Sequence, residues 1–181
     1  MTLKETNLKG CFVLEPKVFY DKRGCFIESY NTKTFETLIG QKIDFVQDNE
    51  SYSSKGVLRG LHFQKGEHAQ AKLVRVIKGS VLDVVVDLRE DSNTFGKHFS
   101  IELSEENKTQ LFVPRGFAHG FIVLSDTVVF SYKCDNFYNK SSESGLIYND
   151  ESLNIDWQLP ESEFVISEKD LILPTFKSLF K

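Results

Sequence analysis

The chain has little of several things. Its 181 residues include one Met, one Trp, four Pro and three Cys. Cys11, Cys25 and Cys134 are odd in number and form no CxxC pair, which argues against a disulfide framework or a thiolate metal knuckle and fits a reduced, cytoplasmic protein. No apolar run approaches the length of a membrane span, and the opening MTLKETNLKG lacks the apolar region of a signal peptide, so no membrane association is expected. Positive charge is not in excess either. The formal net charge is −4, and a broad nucleic-acid surface is not expected on such a chain. No internal repeat, low-complexity run or Gly/Ser-rich linker divides the sequence, so residues 1–181 read as a single domain.

Arginine is scarce as well, 5 residues against 17 Lys. Three of the five nevertheless precede a glycine: Arg23-Gly24, Arg59-Gly60 and Arg115-Gly116. A planar guanidinium pairs well with phosphate, and a glycine beside it lets the backbone bend or approach closely. Three ordinary turns with exposed arginines would give the same pattern.

What is present is mostly strand. Val81–Leu88, VLDVVVDL, is β-branched and alternating. Leu82, Val84, Val86 and Leu88 share one face, and Asp83 and Asp87 share the other. The stretch from 57 to 81, VLRGLHFQKGEHAQAKLVRVIKGSV, reads as two strands joined by a polar loop. Further strands are expected at Cys11–Leu14, Cys25–Tyr30, Phe45–Ser51, Phe99–Leu103, Gln110–Val113, Gly120–Leu124 and Thr127–Cys134. One short helix is expected at Thr34–Ile39, with Asn31 or Thr32 as N-cap and Gly40 as the stop, and another near Leu171–Phe180. Many short strands with regular turns imply a mainly β, antiparallel sandwich or barrel with a few short helices. Sixteen Phe imply a stiff aromatic core, and such barrels hold ligands between their sheets.

Among four histidines, His68 and His98 lie in polar stretches and read as exposed. His62 and His119 lie among apolar residues, in LHF and FAHGF. A lone histidine in such a setting is more often a satisfied core residue than a catalyst, so spacing alone favours the packing reading for each. Metal binding asks for three or four converging ligands. The HxH pattern fails at Gln64, and Lys72 would repel a cation, so no metal is expected. Acid–base chemistry fits better: a histidine serves as a base near neutral pH when a carboxylate orients it. Spacing alone does not say which carboxylate. Tyr132 falls on the face of Val128 and Phe130, where it is either packing or an acid. Lys72 is either a snorkelling surface lysine or a fixed cation for an oxyanion. Arg59 and His62 are three apart, so they share a cavity only if the strand is bulged or bent, and Gly60 is the place for it.

The blocks EPKVFYDKRGCFIESYN, FVQDNESYS, VLRGLHFQ, AKLVRVIKGSVLDVVVDLR, TFGK, LFVPRGFAHGFIVLS, SYKC and ISEKD occur in order along nearly the whole chain. Together they resemble the dTDP-4-dehydrorhamnose 3,5-epimerase family, cupin-type jelly-roll enzymes of dTDP-L-rhamnose biosynthesis. The resemblance implies a jelly roll and a cofactor-independent epimerisation at C3 and C5 of dTDP-4-dehydro-6-deoxy-D-glucose. It implies His62 as the base, Asp170 in SEKD as its orienting carboxylate, Lys72 as the cation at the C4 oxygen and Tyr132 as the proton donor on the opposite face. It places His119 and Tyr138 at the sugar, and Gln47, Asp48, Asn49, Arg59, Glu143 and Lys169 at ligand-contacting positions. Arg23 and Glu28 are implied to reach the nucleotide from a neighbouring subunit, with Phe26 packing on the nucleoside, so a homodimer built in part by the N-terminal strands is implied. Neither a metal nor a redox cofactor is. Two departures stand out. The family often has proline two residues after Tyr138, where this chain has Asn139-Lys140, so the resemblance does not fix the loop before Glu143. The family often has Glu before Gly116, and here Arg115 weakens the Arg-Gly argument at that position. Single-position epimerases, ketoisomerases and metal-dependent cupins are the rival readings.

Overall fold

The computed structural model describes residues 1–180. In chain order the elements are β1 (Thr2–Glu5), β2 (Phe12–Glu15), β3 (Val18–Asp21), β4 (Gly24–Ile27), α1 (Thr32–Ile39), β5 (Gln47–Ser54), β6 (Val57–Gln64), β7 (Lys72–Lys78) and β8 (Ser80–Asp87). They continue with β9 (His98–Ser104), β10 (Gln110–Val113), β11 (Phe117–Val123), β12 (Thr127–Cys134), β13 (Glu143–Gly145), β14 (Val165–Ile166), α2 (Glu168–Leu171) and α3 (Phe176–Leu179). One sheet has the order β1-β2-β10-β7-β12-β5 and the other β13-β6-β11-β8-β9, with β14 added parallel to β6. All remaining pairings are antiparallel, as the mainly β jelly-roll expectation required. β3 and β4 stand apart as a hairpin.

The core between the two sheets joins Val74, Val76 and Phe130 of the first sheet to Val81, Val85, Phe117 and Phe121 of the second. β8 is buried on both faces, which is why its apolar residues occur on both sides of the alternation. Leu82, Val84 and Val86 point outward onto a second cluster with Leu146, Leu153 and Trp157 of the C-terminal segment. The face carrying Asp83 is therefore the inner one, and Asp83 and Asp87 are fully buried. A third cluster lies on the outside of the first sheet, where Phe35 of α1 packs on Leu14, Leu73 and Phe112. Burying a side chain the size of Phe35 contributes about 1.5–3 kcal/mol.

α1 forms where expected. The Asn31 side chain accepts from the Thr34 N–H at 3.2 Å, and Gly40 closes the helix in the left-handed region at φ 78°. Asn31 is thus the N-cap. The helix expected near Leu171–Phe180 is instead two single turns, α2 and α3, because Pro174 lacks an N–H and holds the preceding residue extended. β11 starts at Phe117 rather than Gly120, which brings His119 into the strand. β4 stops at Ile27 and β5 runs on to Ser54. β1 and β3 were not evident in the sequence because they are polar or exposed edge strands. β13 and β14 are too short to carry a pattern of their own and exist by pairing with β6.

β6 is the element that shapes the cavity. His119 of β11 pairs with His62, and Phe121 pairs with Arg59, with a register shift between them. Gly60 and Leu61 therefore oppose Gly120 alone, which is a bulge. The Gly60-Leu61 peptide is cis. Gly60 has φ +112°, and a Cβ there would lie 2.7 Å from both Gly120 Cα and His119 O. Only glycine fits. Since His119 and Phe121 share one face of β11, the shift turns Arg59 and His62 to the same side, where both line one cavity.

Candidate active site

A cavity of about 560 Å³ opens between the sheets, lined by Arg59 and His62 from one wall and Lys72 and Tyr132 from the other. His119 and Asp170 lie on the β6 side, with Glu143 and Lys169 at the rim. An adjoining space of about 340 Å³ shares His62, Lys72 and Tyr132 and adds Gln47, Asn49 and Tyr138.

His62 Nε2 lies 2.7 Å from Asp170 Oδ1. α2 supplies Asp170 in the turn after β14, which is itself pinned to β6. The Gly60 N–H donates to the other carboxylate oxygen at 3.4 Å. Burial would raise the Asp170 pKa, but the His62 hydrogen bond and charge, the Gly60 N–H and Lys169 outweigh it and hold the carboxyl below its ordinary range. An ionised Asp170 only accepts, so Nε2 carries the proton and Nδ1 keeps a free lone pair. Such an arrangement can serve as a base oriented by its neighbour.

Lys72 sits on the same face of β7 as Val74 and Val76, so its side chain enters the barrel. Its ammonium lies 5.8 Å from the centroid of the Tyr132 ring. Among the described residues it forms no ion pair. Desolvation pushes its pKa down, against the pull of Cys134, Asp83 and Glu143. Tyr132 packs on the edge of the core, its ring 6.1 Å from that of Phe130. Burial pushes its phenol up, so it stays protonated at neutral pH.

His119 is buried with Nε2 2.9 Å from Asp83 Oδ2. Desolvation raises the Asp83 carboxyl, and His119 and Lys72 draw it back. Sequence reasoning missed Asp83 as a site residue. The available signal was its place in β8, one residue in a run of valines whose two faces are both apolar. At the rim, Glu143 accepts from Lys169 at 3.1 Å and from the Tyr138 hydroxyl at 3.0 Å. The loop that departs from the family pattern is ordered by Asn139. Its side chain caps the turn at 140–142, its N–H donates to Gln64 at 2.6 Å, and its amide meets His68 at 3.2 Å. His68 is thus part of the loop's bonding rather than simply solvated.

Four expected contact residues lie away from this cavity. Asp48 alternates to the opposite face of β5 and pairs with Lys133 at 2.8 Å, so period two separates it from Gln47 and Asn49. Arg23, Phe26 and Glu28 belong to the β3–β4 hairpin and the residue after it, which does not fold over the chain's own cavity. Phe26 is 68% exposed, and Arg23 bonds Asp21 with its Nε at 3.0 Å. Arg115 is engaged locally, its Nε donating to Asp135 at 2.8 Å, so the Arg-Gly pattern at 115 is a structural pair. Among the described residues, no group of three or more His, Cys, Asp or Glu is arranged to hold a metal ion.

The family model described as dTDP-4-dehydrorhamnose 3,5-epimerase matches residues 5–178. The chain belongs to the dTDP-4-dehydrorhamnose 3,5-epimerase family. Within that family it is 54% identical over 177 residues to the dTDP-4-dehydrorhamnose 3,5-epimerase of Salmonella typhimurium, covering 96% of this chain and 94% of the relative. It superposes with a TM-score of 0.95 and 62% identity on the crystal structure of the dTDP-4-dehydrorhamnose 3,5-epimerase of Elizabethkingia anophelis, over 98% and 97% of the two chains. The dTDP-6-deoxy-D-glucose-3,5-epimerase of Legionella pneumophila, solved in complex with dTDP-4-keto-L-rhamnose, matches with a TM-score of 0.93 and 45% identity over 97% and 93%. The family's jelly roll is the fold described above.

Proposed function

We propose that this chain epimerises dTDP-4-dehydro-6-deoxy-D-glucose at C3 and C5, giving dTDP-4-dehydro-L-rhamnose. The observation that carries the reading is the opposition of the walls. His62, backed by Asp170, stands on β6 of one sheet, while Lys72 and Tyr132 stand on β7 and β12 of the other. Inversion needs a base on one face of the sugar and an acid on the other, since a single base returns the proton to the face it left. His62 Nδ1 takes the proton from the carbon beside the ketone. The electron pair of the C–H bond moves into an enolate whose oxygen lies against the Lys72 ammonium. The Tyr132 phenol then delivers a proton from the far side. The same enolate oxygen serves both carbons flanking C4. All four roles fall to protein side chains, so the reaction as drawn uses no metal and no redox cofactor.

Incubation in heavy water tests this. Deuterium should enter at both C3 and C5. Entry at one carbon alone would make the chain a single-position epimerase, and entry at neither would end the reading. Tyr132→Phe sharpens the test. With the acid gone and the base kept, deuterium exchange should continue while inverted product falls by about 10²-fold or more. Equal loss of exchange and inversion would remove Tyr132 as the opposite-face acid.

The nucleotide half supports a homodimer in the cytoplasm. The β3–β4 hairpin offers exposed Phe19 and Phe26 beside Arg23, a surface suited to a nucleoside and its phosphates in a second copy's site. Three free cysteines fit a reducing compartment, and no helix is long and apolar enough to cross a membrane. Sedimentation should give a dimer. Arg23→Ala should weaken dTDP binding about tenfold. A monomer that binds dTDP with full affinity would sink the shared site.

A further inference from the structure

β5 turns Gln47, Asn49, Ser51 and Ser53 to one side. Three of these four side chains have partners. Gln47 donates to Asn49 at 3.0 Å, Asn49 reaches Cys134 Sγ at 3.6 Å, and Ser53 accepts from Arg59 Nε at 3.2 Å. Ser51 does not. Its Oγ is the one fully enclosed side-chain oxygen or nitrogen among the described residues with no hydrogen-bond partner. It lines the same cavity as His62, Lys72 and Tyr132. Its cross-strand neighbour is Phe130, whose ring stacks on that of Phe121 at 4.2 Å.

An enclosed hydroxyl without a partner destabilises the fold, so it asks for a reason. It donates one hydrogen bond and accepts two, and it is uncharged. Beside stacked rings it suits a neutral hydroxyl on a partly apolar ligand. The charged ends of a nucleotide have Arg59 and Lys169 to meet them. Deepening the epimerase reading, on which this inference rests, we propose that Ser51 is a substrate-binding and specificity-determining residue. Turned about χ1 from its enclosed position toward the cavity that the residue lines, its Oγ hydrogen-bonds a ring hydroxyl of the 4-keto sugar and so fixes the ring between the His62 wall and the Tyr132 wall. A sugar lacking that hydroxyl would leave Ser51 unpaired in the complex and be disfavoured.

The test compares the parent protein with Ser51→Ala. The readouts are heavy-water exchange on dTDP-4-dehydro-6-deoxyglucose, affinity for dTDP alone, and Tm. In Ser51→Ala, kcat/KM on the sugar nucleotide should fall about tenfold, with dTDP affinity unchanged. Tm should stay level or rise, because an unpaired group has been removed. Ser51→Thr, which keeps the hydroxyl, should recover part of the loss. An unchanged kcat/KM in Ser51→Ala overturns the proposal. So does a matching loss of dTDP affinity, which would place the effect on the nucleotide, or a clear fall in Tm, which would mean the hydroxyl is already bonded within the protein. Absence of exchange in the parent retires the epimerase reading itself and is seen before any variant is made.

Discussion

His62→Ala is expected to lower turnover by about 10³–10⁴-fold, the upper part of the range for a positioned general base. Exchange at C3 and C5 should fall together, because one nitrogen serves both. Affinity for dTDP should hold, since the proposed base acts at the sugar and mainly in the transition state. Asp170→Asn is the informative companion. Asparagine retains an acceptor for the His62 N–H but not the charge that supports an imidazolium, so a smaller loss in kcat with little change in KM is expected. The acid side follows from the direction of the Asp170 shift. Its carboxyl is held below the unfolded value of about 3.9. The stability it contributes is therefore present above that value and is lost as pH falls through the folded one. At neutral pH the dyad is intact. Undiminished turnover in His62→Ala would remove the mechanism.

How much of this could be read from the sequence differs by residue. The β-rich fold was legible because β8, β10 and β12 carry dense apolar runs bounded by turn residues. The bulge was legible as well. Arg59 and His62 could serve one ligand only if Gly60 broke the alternation, and the register shift opposite Gly120 does that. The core face of Tyr132 followed from its parity with Val128 and Phe130. By contrast, the partner of His62 lies 108 residues away, a distance that pattern cannot bridge. Asp170 entered only through the family resemblance. Asp48 is a case where local alternation adds to the resemblance. The family block FVQDN treats three neighbours as one contact group, yet a strand turns the middle one away, and it pairs with Lys133. Asp83 and Ser51 were missed because their meaning depends on which face of β8 and β5 is inward. That is decided by the far side of the barrel. The break at Pro174, in contrast, was open to local reasoning, since a proline in mid-segment divides a helix wherever it falls.

Lys72→Met is expected to lower kcat/KM by about 10²–10³-fold, the usual cost of removing one preorganised charge from an oxyanion. Exchange at C3 and C5 should drop by the same factor, because both carbons share the enolate oxygen. Desolvation sets the alkaline limit of the parent. It pushes the Lys72 pKa below the ordinary lysine value of 10.5, while the same effect pushes the Tyr132 phenol up. Activity should therefore decline as pH rises through the lowered lysine pKa. Lys72→Arg, whose guanidinium stays charged across this range, should be slower at neutral pH but lose that alkaline limb. An identical limb in Lys72→Arg would assign it to another group. Stability should move the other way. A lysine whose folded pKa is depressed is one that the fold would rather hold neutral, so its charged form is held at a cost. Lys72→Met removes that cost and leaves an apolar chain of similar length against Tyr132, so Tm should rise as activity falls. A variant that is both less active and less stable would mean that Lys72 is a packing residue. One that is inactive and more stable would show a cation kept in the barrel for the enolate alone.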